Sequence, residues 1–200
     1  EDKKVTHGNF VLDYRPLKAE THRVRLTVGG DKLEYADDAS SPAASLLETK
    51  LLVNSTISDA YKGARFFSAD LKDFFLCSFM KEPEYMRIHS KYFLPDIRNE
   101  YNIEPLIAND NYVYIKIIRG MYGLKQAGNN WFHCLKQSLF DCGFTQSSID
   151  PCLFIRHNCI IIVYVDNCLI FAKTDDILDS VVQSLQNDFK LTSEGDVGAF

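Results

Sequence analysis

Ile160-Ile161-Ile162-Val163-Tyr164-Val165-Asp166-Asn167-Cys168-Leu169-Ile170-Phe171-Ala172 decides how the rest of the chain is read. Two apolar runs rich in strand formers flank a polar pair, with no glycine or proline between them. That is the pattern of a β-hairpin with Asp166-Asn167 at its tip. An Asp mounted there is carried by strands whose apolar side chains anchor it in a core, which suits a metal ligand. Taken alone, the pair fits an ordinary turn better, because Asp and Asn bond to their own backbone in turns.

Working outward, Asp175 to Phe189 reads as an amphipathic helix with Ile177, Val181, Val182, Leu185 and Phe189 inward, and Lys190-Leu191-Thr192 begins a last strand. On the other side, Cys152-Leu153-Phe154-Ile155 pairs with the Ile160 strand through Arg156-His157-Asn158. A helix with Trp131, Leu135 and Leu139 on one face ends near Gly143. It follows Met121-Tyr122-Gly123-Leu124-Lys125-Gln126-Ala127, and Tyr112 to Ile118 before that is a strand. Residues 89–111, with two prolines and Asn109-Asp110-Asn111, are irregular, and Glu84 to Ile88 is a strand. In Gly63-Ala64-Arg65-Phe66-Phe67-Ser68-Ala69-Asp70-Leu71-Lys72-Asp73-Phe74-Phe75-Leu76, a strand over 64–70 runs into a helix-like segment. Asp70 sits at the strand end, where it either emerges into a cleft or caps the helix.

Nearer the start, Ser41-Pro42 opens a scaffold helix that runs to about Asp59 on a mostly apolar stripe. His22 to Val28 alternates strictly, with Arg23, Arg25 and Thr27 on one face, and Gly29-Gly30-Asp31-Lys32 closes a hairpin. A basic strand face meets either phosphates or plain solvent. Gly8 to Tyr14 is a further strand. Helices and strands alternate irregularly among hairpins, so the fold class is α+β with an antiparallel sheet.

With 200 residues, 46% apolar and 24% charged, the chain buries a real core. The net charge of −5 argues mildly against nucleic acid, though Arg15, Lys18, His22, Arg23 and Arg25 form a local basic cluster. The six cysteines include no CxxC pair, which favours buried free thiols over zinc or disulfides. No apolar run reaches the roughly 18 residues of a membrane span, and no signal-peptide pattern opens the chain. An intracellular protein without membrane contact is expected.

Three stretches now stand in order: Ala69-Asp70-Leu71-Lys72-Asp73-Phe74-Phe75-Leu76, Met121-Tyr122-Gly123-Leu124-Lys125-Gln126-Ala127 and Tyr164-Val165-Asp166-Asn167. Together they resemble the reverse transcriptase of copia-type long-terminal-repeat retrotransposons. The middle motif, followed by Trp131, is the most specific. Arg23-Val24-Arg25-Leu26 and Glu84-Tyr85-Met86 resemble family segments in the right order, and the similarity covers roughly residues 20–200.

The resemblance implies a right-hand polymerase fingers and palm with an antiparallel palm sheet, the thumb being absent. Residues 1–68 would be a fingers-like segment with an N-terminal hairpin and helix, and 69–88 the first palm segment with its Asp motif. Residues 89–130 would be a fingers or insertion segment, and 131–200 a palm segment carrying the Tyr-Val-Asp-Asn hairpin. It further implies RNA-directed DNA polymerase activity by two-metal nucleotidyl transfer, with Asp70, Asp166 and Asn167 catalytic. Two Mg²⁺ ions, with Mn²⁺ as a substitute, would be held by Asp70, the Leu71 carbonyl, Asp166 and Asn167. Phe75 would be the steric gate against a ribose 2′-hydroxyl. Gln126 would contact the incoming nucleotide or template, and Arg25 its phosphates; Lys72 and Lys125 are possible phosphate neighbours. Template RNA or DNA, primer and deoxynucleoside triphosphates are the implied partners, in a cytoplasmic particle or the nucleus.

One departure stands out: the family carries Tyr-Val-Asp-Asp where this chain has Asn167. An amide oxygen still ligates Mg²⁺ but lacks the charge that balances two divalent ions. Gly128 and Asn129 stand where the family usually shows proline and arginine, which removes one phosphate contact. The alternative to a working polymerase is therefore a catalytically degenerate retroelement remnant that keeps the fold. An unrelated α+β interaction domain is the third class.

Overall fold

The computed structural model describes residues 3–17 and 20–193. In chain order the elements are β1 (Val5–Tyr14), β2 (His22–Val28), α1 (Leu46–Ser58), β3 (Arg65–Leu71), α2 (Phe74–Cys77), β4 (Phe79–His89), α3 (Pro95–Glu100) and β5 (Tyr112–Arg119). They continue with α4 (Ala127–Asp141), β6 (Thr145–Gln146), β7 (Leu153–Arg156), β8 (Cys159–Tyr164), β9 (Asn167–Ala172), α5 (Asp175–Asp188) and β10 (Leu191–Ser193). The chain divides into two compact units: Glu1–Ala39 with Ser78–Ala127, and Ser40–Cys77 with Gly128–Phe200.

The first unit is built on a four-stranded sheet in the order β2-β1-β4-β5. β1 pairs antiparallel with β2, from Gly8↔Val28 to Tyr14↔His22, and parallel with β4 at Val5↔Tyr85. β4 and β5 are antiparallel, with a register shift between Phe79 and Glu84. Val28, Met86, Ile88, Val113 and Ile117 fill its interior. The hairpin expected at Gly29 to Lys32 is not there. β2 finds its partner upstream, in β1, and Gly30–Lys32 forms a short 3-10 turn. Those glycines serve close approach instead: a Cβ on Gly30 would lie 2.0 Å from the Gly123 carbonyl oxygen. Residues 89–111, expected to be irregular, hold α3, started by Pro95, and 3-10 turns at Ser90–Tyr92 and Glu104–Leu106. Lys18 of the basic cluster lies outside the described residues.

The second unit is a six-stranded sheet, β10-β3-β9-β8-β7-β6, antiparallel throughout. Its central strands β8 and β9 are short and apolar, and β8 is rich in β-branched residues, as the central stretch predicts. Phe154↔Ile161 and Ile161↔Ile170 lie in one register row, and all three residues are fully buried. The rings of Phe132 and Phe140 on α4 approach Phe154, centroids 6.4 and 6.3 Å away. Trp131, Leu135 and Leu139, four residues apart on α4, are buried as the helical spacing requires. α5 is capped by Thr174, whose Oγ1 accepts from the Ile177 N–H, and buries Val181 and Leu185.

α1 behaves differently from its apolar stripe. Ser45 caps it, and the Ser45 N–H donates to the buried Asp150 carboxylate at 2.9 Å, but no α1 residue is buried. Leu46, Leu47, Leu51 and Ile57 stay exposed, although the helix packs against β3 and β9 of the sheet. The six cysteines are free thiols, and Cys152, Cys159 and Cys168 are buried.

Candidate active site

The last register pair of β8 and β9 is Tyr164↔Asn167, so the hairpin turns on Val165 and Asp166. This corrects the expected Asp166-Asn167 tip by one residue. Turn chemistry favoured both Asx residues, but Asn167 is drawn into the ladder because β9 is flanked on its other side by β3, where Asn167 faces Asp70. Val165 adopts φ +56, a left-handed conformation that a β-branched residue rarely takes, at a cost of about 1–3 kcal/mol.

Two hydrogen bonds pin this turn. The Leu71 N–H donates to the Asp166 carbonyl at 2.8 Å, and the Trp131 indole N–H donates to the Val165 carbonyl at 3.2 Å. Trp131 is only 2% exposed and is gripped edge-on by Phe74 and Phe189, with centroids 5.6 and 5.1 Å away.

Asp70 lies inside β3, between Asn167 on β9 and Thr192 on β10. It caps no helix, since α2 starts beyond it, at Phe74. Residues directly opposite across an antiparallel pair hold their Cβ atoms about 4.5–5.5 Å apart, so Asp70 and Asn167 are side-chain neighbours. Thr192 Oγ1 lies 3.3 Å from both the carbonyl and the Oδ2 of Asp70. The Asn167 amide N–H donates to Asp166 Oδ1 at 3.3 Å, while Asn167 Oδ1 is buried and has no hydrogen-bond partner among the described residues. The fold thus gathers Asp70, Leu71, Asp166 and Asn167 at one end of the sheet. Just behind them Cys168 is sealed in; burial first, then the Asp166 carboxylate, pushes its thiol up to about 12. Phe75 sits half-buried on α2, its ring centroid 3.9 Å from that of Phe74.

Arg25 and Gln126 belong to the first unit. The Tyr122-Gly123 segment docks on the end of β2: the Val28 N–H donates to the Tyr122 carbonyl at 2.8 Å, and Gly123 adopts φ +96 where a Cβ would lie 2.0 Å from the Val28 carbonyl oxygen. Only glycine meets both conditions, which gives this motif residue its structural reason. The Arg25 guanidinium stands over the Tyr122 ring, 5.2 Å from its centroid, and its Nε is buried with no hydrogen-bond partner among the described residues. Gln126 is buried, and its Nε2 donates to Glu84 Oε1 at 3.3 Å. A carboxylate only accepts, so the contact sets which way the amide faces. Lys125 is spent on the Leu33 carbonyl at 2.9 Å, and Lys72 is exposed.

Four neighbours were not marked by the sequence reading: Thr192 beside Asp70, Glu84 beside Gln126, Tyr122 under Arg25, and the Trp131 indole at the turn. Glu84, Tyr122 and Trp131 carried a signal, as parts of segments that resemble the family.

The ordered motifs point to a nucleic-acid polymerase class, and a family model makes the assignment direct. Residues 16–200 match the family described as reverse transcriptase (RNA-dependent DNA polymerase), and the chain belongs to it. Within that family it is of the Ty1/copia retrotransposon type. It is 24% identical over 202 aligned residues to the Ty1-DR4 Gag-Pol polyprotein of Saccharomyces cerevisiae, covering 98% of this chain and 11% of that protein. The Ty1-DR5 and Ty1-LR2 Gag-Pol polyproteins of the same yeast match at the same identity, over 98% of this chain and 10% of each of theirs. The chain therefore spans about a tenth of the length of these relatives. No helix among the described residues is long and apolar enough to cross a membrane.

Proposed function

We propose that this chain forms the fingers and palm of an RNA-directed DNA polymerase, with the second unit as the palm. The observation that carries the proposal is the convergence of Asp70, Asp166 and Asn167 on adjacent strand ends, with the buried Asn167 Oδ1 left without a donor. An all-oxygen donor set of this kind fits a hard divalent cation, for which an unpaired amide oxygen is a ready ligand. When bound, two Mg²⁺ (or Mn²⁺) ions supply Lewis-acid stabilisation of the charge on the transferring phosphoryl group. Asp70, Asp166, the Leu71 carbonyl and Asn167 would hold them. Arg25 would meet the triphosphate through its guanidinium, and Glu84 fixes Gln126 in one orientation for the incoming nucleotide or template. Phe75 presents its ring as the gate that excludes a 2′-hydroxyl. Primer, RNA or DNA template and deoxynucleoside triphosphates are the partners, inside the cell in a particle or the nucleus.

The second reading, a degenerate copy that keeps the fold without activity, is favoured by the same Asn167. The described residues contain no group of three or more His, Cys, Asp or Glu side chains able to hold a metal. Losing one preorganised electrostatic contribution of this kind costs on the order of 10²–10³ in rate. Primer extension on an RNA template, with Mg²⁺ and then Mn²⁺, separates the two. It would be run on the chain as it stands and joined to the thumb segment of a copia-type relative. The working-polymerase reading expects extension by the parent, abolished in Asp70→Ala and raised on the order of 10²–10³ in Asn167→Asp. Extension by Asn167→Asp alone assigns the chain to the degenerate class, and silence from every variant removes the catalytic claim.

A further inference from the structure

We propose that Trp131 is the positioning residue of the Asp166 turn: its indole N–H locks the peptide plane from which the Asp166 carboxylate is hung. The Val165 carbonyl belongs to the peptide joining Val165 to Asp166, and the Asp166 carbonyl belongs to the next one. Trp131 on α4 holds the first and the Leu71 N–H of β3 holds the second. Two successive peptide planes are thus fixed from two different elements.

The lock has something to oppose. Val165 sits at φ +56 in a two-residue turn, and the easy release for such a turn is a flip of its peptide. A flip would break the Trp131 hydrogen bond and swing Asp166 away from its place beside Asn167 and Asp70. Trp131 has no comparable freedom, since it is buried between the rings of Phe74 and Phe189. An apolar side chain of the same bulk would fill the space equally well, but only a donor reaches the carbonyl. The α4 residue that the family motif introduces is in this way part of the metal-site scaffold, acting through the backbone and touching no ligand itself.

The metal half of this inference rests on the function proposed above, and the backbone half does not. The test uses the full chain with Trp131→Phe, which keeps an aromatic ring and removes the donor, and Phe189→Leu, which loosens the same packing but keeps the donor. Val165→Asn, alone and combined with Trp131→Phe, supplies the rescue, because Asn tolerates the left-handed region. The first readout is NMR-detected hydrogen exchange of the Leu71 amide, relative to the amides at the Arg65 end of β3. Trp131→Phe is expected to speed it at least about tenfold, Phe189→Leu to leave the ratio unchanged, and the double variant with Val165→Asn to restore most of it. The second readout is the Mn²⁺ dissociation constant by electron paramagnetic resonance, expected to rise about tenfold in Trp131→Phe and to be unchanged in Phe189→Leu, in line with outer-shell effects on metal sites. If the parent binds no Mn²⁺, or Asp70→Asn binds as well as the parent, the metal reading fails and the Leu71 exchange decides the positioning role alone. An unchanged Leu71 ratio in Trp131→Phe, or an equal change in Phe189→Leu, overturns the proposal and leaves Trp131 as core packing.

Discussion

The two units hold their chemistry by different means. In the second, Asp70 and Asp166 stand at the ends of strands whose interiors are closed, with Phe154, Ile161, Cys168 and Ile170 all fully buried. In the first, β1 and β2 keep large apolar side chains in the open: Leu12 is 79% exposed, Tyr14 66% and Val24 59%. Its candidate nucleotide contacts rest on a few backbone pins, the Gly30–Gly123 approach and the bond from the Val28 N–H to the Tyr122 carbonyl. Carboxylates that must share metals need placement to within fractions of an ångström, which a sealed sheet supplies.

The contrast can be broken most forcefully from the closed side. Ile170→Ala should destabilise the second unit by about 2–5 kcal/mol, read from urea unfolding. A cost below 1 kcal/mol would mean that the sheet is not the rigid mounting described.

Gly123→Ala comes next, at about 1–3 kcal/mol, because it combines a left-handed φ with a Cβ driven into the Val28 carbonyl. Thermal unfolding measures the cost, and the damage should stay within the first unit.

Thiol ionisation at alkaline pH sharpens the comparison, since all six cysteines fall in the second unit. Burial pushes the thiols of Cys152 and Cys168 up to about 12 and that of Cys159 to about 11. These groups stay protonated in the folded chain while ionising near their ordinary value, about 8.5, in the unfolded one. The stability they contribute is therefore complete below that value and is lost as pH rises through 11 to 12. Urea midpoints of the second unit should fall between pH 8 and pH 10, and Cys168→Ser should reduce that fall. The smallest effect belongs to Leu12→Ala, within about 0.5 kcal/mol by the same unfolding measurement, as expected for an exposed side chain.

Much of the second unit was legible because its signals are local. The β-branched runs around Ile160 and Ile170, the four-residue spacing of Trp131, Leu135 and Leu139, and the start of α5 near Asp175 all came from periodicity and reappear in the structure. The candidate metal-site residues were legible as types at strand ends, and the ordered motifs supplied the family. The errors arose where a non-local partner outweighed a local preference. Asn167 is a good turn residue that joins the ladder because β3 lies beside it. Gly29-Gly30 reads as a turn and serves instead as the place where Gly123 packs. The apolar stripe of α1 packs against β3 and β9 yet leaves Leu46, Leu47, Leu51 and Ile57 in the open.

By itself, then, the sequence determined the period of each element, the α+β class and the residue types offered for chemistry, because these depend on neighbours within a few positions along the chain. The tertiary structure alone decided the one-residue placement of the turn, the left-handed Val165, the pinning of that turn by Trp131 and Leu71, and the pairing of Glu84 with Gln126. Each of these depends on contacts between residues far apart in sequence, where hydrogen-bond geometry and close packing select one arrangement from several that local preference leaves nearly equal in energy.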